Sequence, residues 1–146
     1  MSLSSAADTA APPGPRPFRE GLLSLEPPCL LGSRCTACGN VTFPARGFCP
    51  ACRSVDGLEE VTLGTEGVVH SFTVVRQAPP GVEVPYVLAW VDLPGSGVRL
   101  MATVSGLEPH HVELGMSVEL ELTPFGTAGD GAELIGFRFR PAGVAT

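Results

Sequence analysis

The segments Cys35-Thr36-Ala37-Cys38 and Cys49-Pro50-Ala51-Cys52 hold four of the five cysteines in this chain. Each C-x2-C step lets a tight turn aim two sulfur atoms at one point, and the ten residues between the pairs are enough for a short hairpin that brings the pairs together. Four thiolates close a tetrahedral shell and leave no position for water or substrate. The spacing therefore predicts a structural zinc site with the ligands Cys35, Cys38, Cys49 and Cys52. Iron is an alternative metal, because thiolate tetrahedra bind both.

The residues around the cysteine pairs favour such metal-binding knuckles. Gly39 directly follows the first pair, where a knuckle needs a residue that tolerates positive φ. Pro50 stiffens the second pair from within. The equivalent position after the second pair is Arg53, where a second glycine is expected.

Other uses of the cysteines are less consistent with the pattern. Two disulfide bonds in a secreted domain would require geometry that adjacent C-x2-C loops rarely provide, and the N-terminus has neither a basic region nor an apolar region typical of a signal peptide. A thioredoxin-like redox motif would use one C-x-x-C pair, whereas this chain has two. Cys29 stands apart in an apolar stretch, and we interpret it as a small buried hydrophobic residue.

The composition favours short strands and many turns. The 146 residues include 18 glycines and 15 prolines, and lysine, a good helix former, is absent. All nine basic residues are arginine, and fifteen carboxylates outnumber them to give a net charge of −6. Such a chain repels a phosphate backbone, so we expect no nucleic-acid binding. No apolar run approaches the ~20 residues that span a bilayer. We therefore expect a soluble, cytoplasmic protein with no membrane contact, which also suits reduced cysteines.

The first half of the chain is predicted to contain a tail and the metal-binding module. Residues 1–15 are rich in alanine and proline and are expected to form a disordered tail. Residues 16–64 are expected to hold a short helix and the ribbon. The helix is predicted to open at Pro17, because Phe18, Leu22 and Leu25 recur along one helical face, and to end before Pro27. Short strands are predicted within 41–44 and 58–63.

Residues 65–146 are predicted to form a five-stranded barrel. Five runs with strand character, separated by turn residues, cover 67–75, 85–93, 98–104, 116–123 and 133–140. Alternation at period 2 places one set of side chains inside: Val118, Leu120, Leu122, Ile135, Phe137 and Phe139. The carboxylates between them, Glu119 and Glu121, are expected to face water, and Arg138 and Arg140 to form a solvated face. One helical turn is predicted within 108–112. This order suits a Greek-key barrel of the OB type, with an open sandwich as the main alternative.

No group of residues predicts an independent active site, so we assign no catalytic residues. His70 lies within a strand and is interpreted as structural. His110 and His111, with Glu108 and Glu113 beside them, could bind a surface metal, but solvated turn residues are the favoured interpretation. No nucleophile elbow, phosphate-binding glycine loop or metalloprotease motif is present.

The arrangement resembles a known family, the acyl-CoA-associated proteins called domain of unknown function thirty-five, which join a rubredoxin-like zinc ribbon to an OB-fold. The resemblance is carried by residues 18–23, 34–39, 43–46, 48–52, 67–75, 85–87 and 139–141. Two features depart from the family pattern. Arg53 replaces the common glycine of the second knuckle, and residues 25–28 are richer in proline than usual.

The resemblance implies a mainly β protein that acts as a non-catalytic accessory subunit of a thiolase-superfamily enzyme, in a hetero-oligomer that handles CoA-linked or carrier-linked acyl groups. The partner would carry the catalytic residues. CoA carries phosphate charges, so Arg46, Arg76 and Arg99 are candidate contacts by elimination. The alternative function is an OB-fold protein that binds single-stranded nucleic acid. That function needs arginines interleaved with exposed aromatic residues, whereas the aromatic residues here are expected to alternate inward.

Overall fold

The computed structural model describes residues 14–143. The predicted disordered tail, residues 1–15, lies outside this part of the chain except for Gly14 and Pro15. The described residues form ten β-strands and a single 3₁₀ turn at Pro109–His111. The strands are β1 (Arg16–Pro17), β2 (Leu23–Leu25), β3 (Pro28–Cys35), β4 (Val41–Thr42), β5 (Leu58–Thr62), β6 (Glu66–Val75), β7 (Tyr86–Leu93), β8 (Val98–Val104), β9 (Ser117–Thr127) and β10 (Glu133–Pro141).

Strand β3 organises the ribbon, because β2, β4 and β5 all pair with it in antiparallel fashion. Ser33 on this strand is a buried polar residue whose hydroxyl lies 2.8 Å from the hydroxyl of Thr42. The same hydroxyl accepts a hydrogen bond of 3.2 Å from the backbone N–H of Arg46. Satisfying a buried hydroxyl in this way ties the loop between the two cysteine pairs to the central strand.

The predicted N-terminal helix is wrong. Residues 16–17 instead extend along the edge of β10 as a parallel strand, and the backbone N–H of Phe18 donates to the carbonyl of Ile135 at 2.9 Å. The chain then turns at Gly21, whose φ of 78° lies in the left-handed region that a helix cannot accommodate. The helical spacing of apolar residues was misleading, because Leu22 is buried while Phe18 is 36% exposed and stacks on Phe125.

Strands β6 to β10 close into a barrel, as predicted. The strands β6, β7 and β8 form an antiparallel meander, β9 pairs with both β6 and β10, and β10 pairs in parallel with β8. This closed order is that of the OB-fold, and it excludes the open sandwich. The predicted strands match within a few residues. Strand β9 continues to Thr127 because its pairing with β10 extends through a bulge at Leu134 and Ile135.

The inward-facing residues of the last two strands are placed largely as predicted. Val118 and Phe139 are fully buried, and the other predicted core residues of β9 and β10 are half-buried. Glu119 and Glu121 do not simply face water, since both are half-buried and pair across the strands. Arg138 lies 2.7 Å from Glu121, and Arg140 lies 3.1 Å from Glu119. The outer face of this hairpin is thus an ion-pair ladder.

One hydrophobic core joins the ribbon to the barrel. Leu30 of β3 is fully buried, and it belongs to the same cluster as Val69, Val91 and Phe139 of the barrel. Leu63, between the two modules, is also part of that cluster. The division into residues 16–64 and 65–146 stays a prediction. The shared core indicates that the two modules depend on each other for stability.

Gly32 in β3 offers a test of how closely β3 and β4 approach. A Cβ added to Gly32 would lie 2.5 Å from the backbone carbonyl oxygen of Thr42, which cannot move without breaking the sheet. We expect Gly32→Ala to lower the free energy of unfolding by roughly 1–3 kcal/mol, as overpacking does. Urea denaturation followed by far-UV circular dichroism measures the change.

Gly64→Ala is the matched control for this substitution. A Cβ there meets no atom within 4 Å, so the stability should stay the same or rise slightly. Equal unfolding midpoints for the two variants would contradict the close approach of β3 and β4.

Candidate metal centre and neighbouring surfaces

The structure brings the four predicted cysteines together. The sulfur atoms of Cys35, Cys38, Cys49 and Cys52 all lie within 4.8 Å of one another. The Cys35 and Cys52 sulfurs are 3.6 Å apart, and the Cys38 and Cys49 sulfurs are 3.5 Å apart. Zinc–sulfur bonds of about 2.3 Å in a tetrahedron require sulfur–sulfur distances of about 3.8 Å. The arrangement therefore fits a tetrahedral metal ion. All five cysteines are free thiols, which excludes the two-disulfide alternative in this structure.

The two knuckles that hold these cysteines share one hydrogen-bond pattern. In the first, the N–H of Gly39 donates to the carbonyl of Cys35, and the N–H of Cys35 donates to the carbonyl of Asn40. In the second, the N–H of Arg53 donates to the carbonyl of Cys49, and the N–H of Cys49 donates to the carbonyl of Ser54. The repeated pattern shows that the two turns are equivalent, and the sulfur distances show that they face each other across the cluster.

Arg53 takes the backbone conformation that glycine takes in the first knuckle. Gly39 has a φ of 81° and Arg53 a φ of 66°, and Arg53 is the single non-glycine residue with positive φ in residues 14–143. The left-handed region is costly for a residue with a Cβ. The missing second glycine therefore leaves the turn shape intact but places strain at Arg53.

The thiols of the cluster differ in acidity. Hydrogen bonds from the side chain and backbone of Ser54 lower the pKa of the Cys52 thiol to about 6. The backbone of Asn40 favours the Cys38 thiolate, but the thiol of Cys49 and burial oppose it and raise the pKa of Cys38 to about 12. Sulfurs so close together cannot all ionise unless a cation lies among them. A divalent metal ion would supply that charge.

Among residues 14–143, this cluster is the single group of three or more ligands spaced for a metal ion. His110 and His111 lie in the 3₁₀ turn, exposed, as the solvated interpretation predicts. His70 is exposed on β6, with its Nδ1 atom 3.7 Å from a carboxylate oxygen of Asp92. Cys29 is buried and apart from the cluster, as predicted.

Two of the three candidate arginines line the same cleft. Arg46 of the ribbon and Arg99 of β8 border a cleft of about 220 Å³ that also contains Pro50 and Gly97. Arg76 is exposed after the end of β6, outside this cleft. Arg99 already donates two hydrogen bonds to Asp92, which holds the pKa of that carboxyl below its usual range. Arg46 has no carboxylate partner among the described residues.

The expectation that the aromatic residues alternate inward is wrong for Trp90 and for Phe125, which is 63% exposed on β9. Phe72, Phe137 and Phe139 do contribute to the core, but Trp90 points outward from β7 and is 42% exposed. The sequence contained a signal for the exposure of Trp90. Trp90 lies between Ala89 and Val91, which are buried, so the period of two in this strand places it on the outer face.

A four-thiolate ribbon that precedes a closed five-stranded barrel defines a class, the zinc-ribbon and OB-fold proteins. Family models agree with both parts. Residues 27–59 match the model described as ChsH2, rubredoxin-like zinc ribbon domain. Residues 60–123 match the model described as ChsH2, C-terminal OB-fold domain.

Comparison with whole proteins identifies the family. A DUF35 domain-containing scaffold protein from Methanocaldococcus jannaschii is 38% identical over 116 residues, which cover 77% of this chain and 82% of the relative. The benzoylsuccinyl-CoA thiolase subunit BbsA from Thauera aromatica is 33% identical over 77% of this chain and 76% of the subunit. Among solved structures, a chain of the Ltp2-ChsH2(DUF35) aldolase superposes with a TM-score of 0.64 and 36% identity, covering 78% of this chain and 85% of that one. The chain belongs to the DUF35 family.

No helix within residues 14–143 combines the length and apolar character needed to cross a membrane.

Replacing one ligand tests the metal centre. We expect Cys38→Ser to lose bound metal and to unfold the knuckles, because metal binding in such a site is folding free energy. Atomic absorption measures the ratio of metal to protein. Cys29→Ala is the control, since it removes a buried thiol outside the cluster and should keep the ratio of the unchanged protein. An unchanged ratio in Cys38→Ser would contradict the ligand assignment.

The strain at Arg53 leads to a second prediction. Arg53→Gly should raise the free energy of unfolding by about 0.5–1 kcal/mol, because glycine adopts positive φ without a Cβ clash. Urea denaturation of the metal-loaded protein measures it. Arg46→Gly removes the same charge from the ribbon at a position with ordinary φ, so it should bring no gain. Equal gains in both variants would assign the effect to charge and not to backbone strain.

Proposed function

We propose that this chain is a non-catalytic accessory subunit of a thiolase-superfamily enzyme that acts on CoA-linked or carrier-linked acyl groups. The observation that carries the proposal is the similarity to a chain of the Ltp2-ChsH2(DUF35) aldolase, which extends over 85% of that chain. The BbsA relative, a benzoylsuccinyl-CoA thiolase subunit, supports the same role. Catalysis would then belong to the partner, and this chain would supply a rigid surface for it.

In this proposal the ribbon holds zinc through Cys35, Cys38, Cys49 and Cys52. The four sulfurs fit a tetrahedron, and a complete thiolate shell leaves no site for a substrate or a reactive water. The metal would therefore fix the shape of the ribbon against the barrel.

The cleft between the modules is the place where this chain would contact CoA. Arg46 and Arg99 both border it, and guanidinium groups bind phosphate through several donors at once. Arg46 is the stronger candidate for a phosphate contact, because the charge of Arg99 is already paired with Asp92. Arg76 lies outside the cleft and is the weaker candidate.

The exposed Trp90 is the observation that favours the alternative function, single-stranded nucleic-acid binding on an OB-fold. The charge distribution of the chain argues against nucleic-acid binding. Five of the nine arginines are paired with carboxylates, and the chain carries a net charge of −6. A strand of phosphates would meet a surface with few free cations.

Co-expression tests the proposed function. We expect a pull-down from the native host to recover a thiolase-superfamily protein with this chain, and the two proteins, produced together, to elute as one hetero-oligomer in size-exclusion chromatography with light scattering. The complex should turn over an acyl-CoA substrate, and the isolated chain should not. Acyl-CoA turnover by the isolated chain, or separate elution of the two proteins, would contradict the proposal.

A further inference from the structure

The outer surface of strands β6, β7 and β8 carries an exposed apolar stripe. Trp90 of β7 and Met101 of β8 are directly paired in the register, so their side chains lie side by side on one face. They are 42% and 47% exposed. Leu88 and Thr103 form the next pair on the same face. The residues between them on each strand, Ala89 and Ala102, are buried in the barrel.

This stripe is a continuous surface and not a single exposed side chain. One depression of about 210 Å³ is bordered by Ser71, Leu88, Trp90 and Met101. A second, of about 360 Å³, is bordered by His70, Ser71, Trp90 and Arg99. The two meet at Ser71 and Trp90. The surface therefore places an indole and a thioether at the centre and hydroxyl groups beside them.

The stripe differs from the exposed site formed by Phe18 and Phe125. Phe18 and Phe125 stack on each other with ring centroids 4.2 Å apart, so each ring is partly covered by the other. No aromatic ring stacks on Trp90 within the described part of the chain. Trp90 thus keeps its apolar area free for another molecule.

The charges at the edge of the stripe indicate what that molecule presents. Arg99, Asp92 and His70 form one cluster, in which Arg99 uses its Nε and one Nη nitrogen on Asp92. Its second Nη nitrogen has no carboxylate partner among residues 14–143. If a partner covers this edge, the Asp92 carboxylate stays paired with Arg99. Binding therefore does not bury an unpaired carboxylate, which would cost free energy. A complementary surface would place an apolar pocket over Trp90 and a carboxylate next to Arg99.

We propose that this face, formed by Ser71, Leu88, Trp90, Met101 and Arg99, docks the catalytic subunit, with Trp90 as the anchor. The proposal rests on the proposed function. Protein interfaces are enriched in Trp, Met and Arg at their centres, and a buried Trp often supplies much of the affinity. Arg99 has one Nη nitrogen left, enough for a single carboxylate of a protein partner, whereas Asp92 beside it would repel the successive phosphates of a polyanion.

The test uses the complex formed with the thiolase-superfamily subunit that the pull-down identifies. Trp90→Ala should raise the dissociation constant of the complex roughly 30-fold or more, which is the effect of losing an interface anchor. Leu114→Ala is the matched control: Leu114 is 68% exposed and lies outside the stripe, so its loss should change affinity by less than about twofold. Metal content and thermal unfolding of each free variant verify that the fold is retained.

Arg99→Gln tests the charged edge separately. It should slow association severalfold at low salt, with the difference from the unchanged protein shrinking as salt rises, because edge charges act mainly on the association rate. Surface plasmon resonance at two salt concentrations measures this. An effect independent of salt would contradict the acidic rim assigned to the partner.

The remaining outcomes separate the two proposals. If the complex forms and Trp90→Ala binds as tightly as the unchanged chain, the docking face is wrong while the proposed function stands. Phe48, which is 45% exposed, lies beside Cys49 in the ribbon. Loss of binding in Phe48→Ala but not in Trp90→Ala would assign the interface to the ribbon and overturn the inference. Failure of the unchanged chain to form the complex would overturn both.

Two other occupants of the face are tested on the isolated chain, in which Trp90 is the sole tryptophan. Self-association that Trp90→Ala abolishes, seen by sedimentation equilibrium, would make the face a homodimer interface. Quenching of Trp90 fluorescence by oligothymidylate at physiological salt would make it a nucleic-acid platform. Either result overturns the inference.

Discussion

The structure depends on four sulfur atoms that share one small volume. Their separation, no more than 4.8 Å between any two, places two turns of the chain face to face, and those turns contain few apolar residues that could hold them otherwise. Four thiolates at such distances would repel one another, so ionising all of them would require a cation among them. Strand β3 runs from Pro28 through Leu30, in the shared core, to Cys35 of the sulfur cluster, and so links the knuckles to the rest of the structure.

The outer faces of the barrel strands differ in the side chains that they expose. The barrel's closed strand order leaves few free backbone groups at its edges, so the outer faces are distinguished by their side chains. One face, on β9 and β10, is a ladder of arginine–glutamate pairs. The face on β6 to β8 carries Trp90 and Met101 instead. Such a division suits a protein whose role is to hold another protein in place.

The sequence predicted the features that depend on local pattern. The C-x2-C spacing gave the sulfur cluster, and the alternation in β9 and β10 placed Val118 and Phe139 in the core. Prediction from the sequence failed where tertiary contacts override the local spacing of apolar residues. Phe18 and Leu22 have helical spacing, yet pairing with β10 and the left-handed Gly21 impose an extended strand and a turn. Trp90 went unnoticed because it lies in an almost continuous apolar run, in which burial is decided by the strand's two faces.

The burial of Leu30 in the barrel core has a cellular consequence. The strand that ends in the sulfur cluster packs against the barrel at its other end, so loss of a bound ion would loosen packing far from the knuckles. Chains that open more often are degraded faster, because quality-control proteases act on the unfolded fraction. We expect the abundance of this protein to follow the supply of metal to the cell, which would make the amount of assembled enzyme respond to nutrient scarcity without any dedicated sensor.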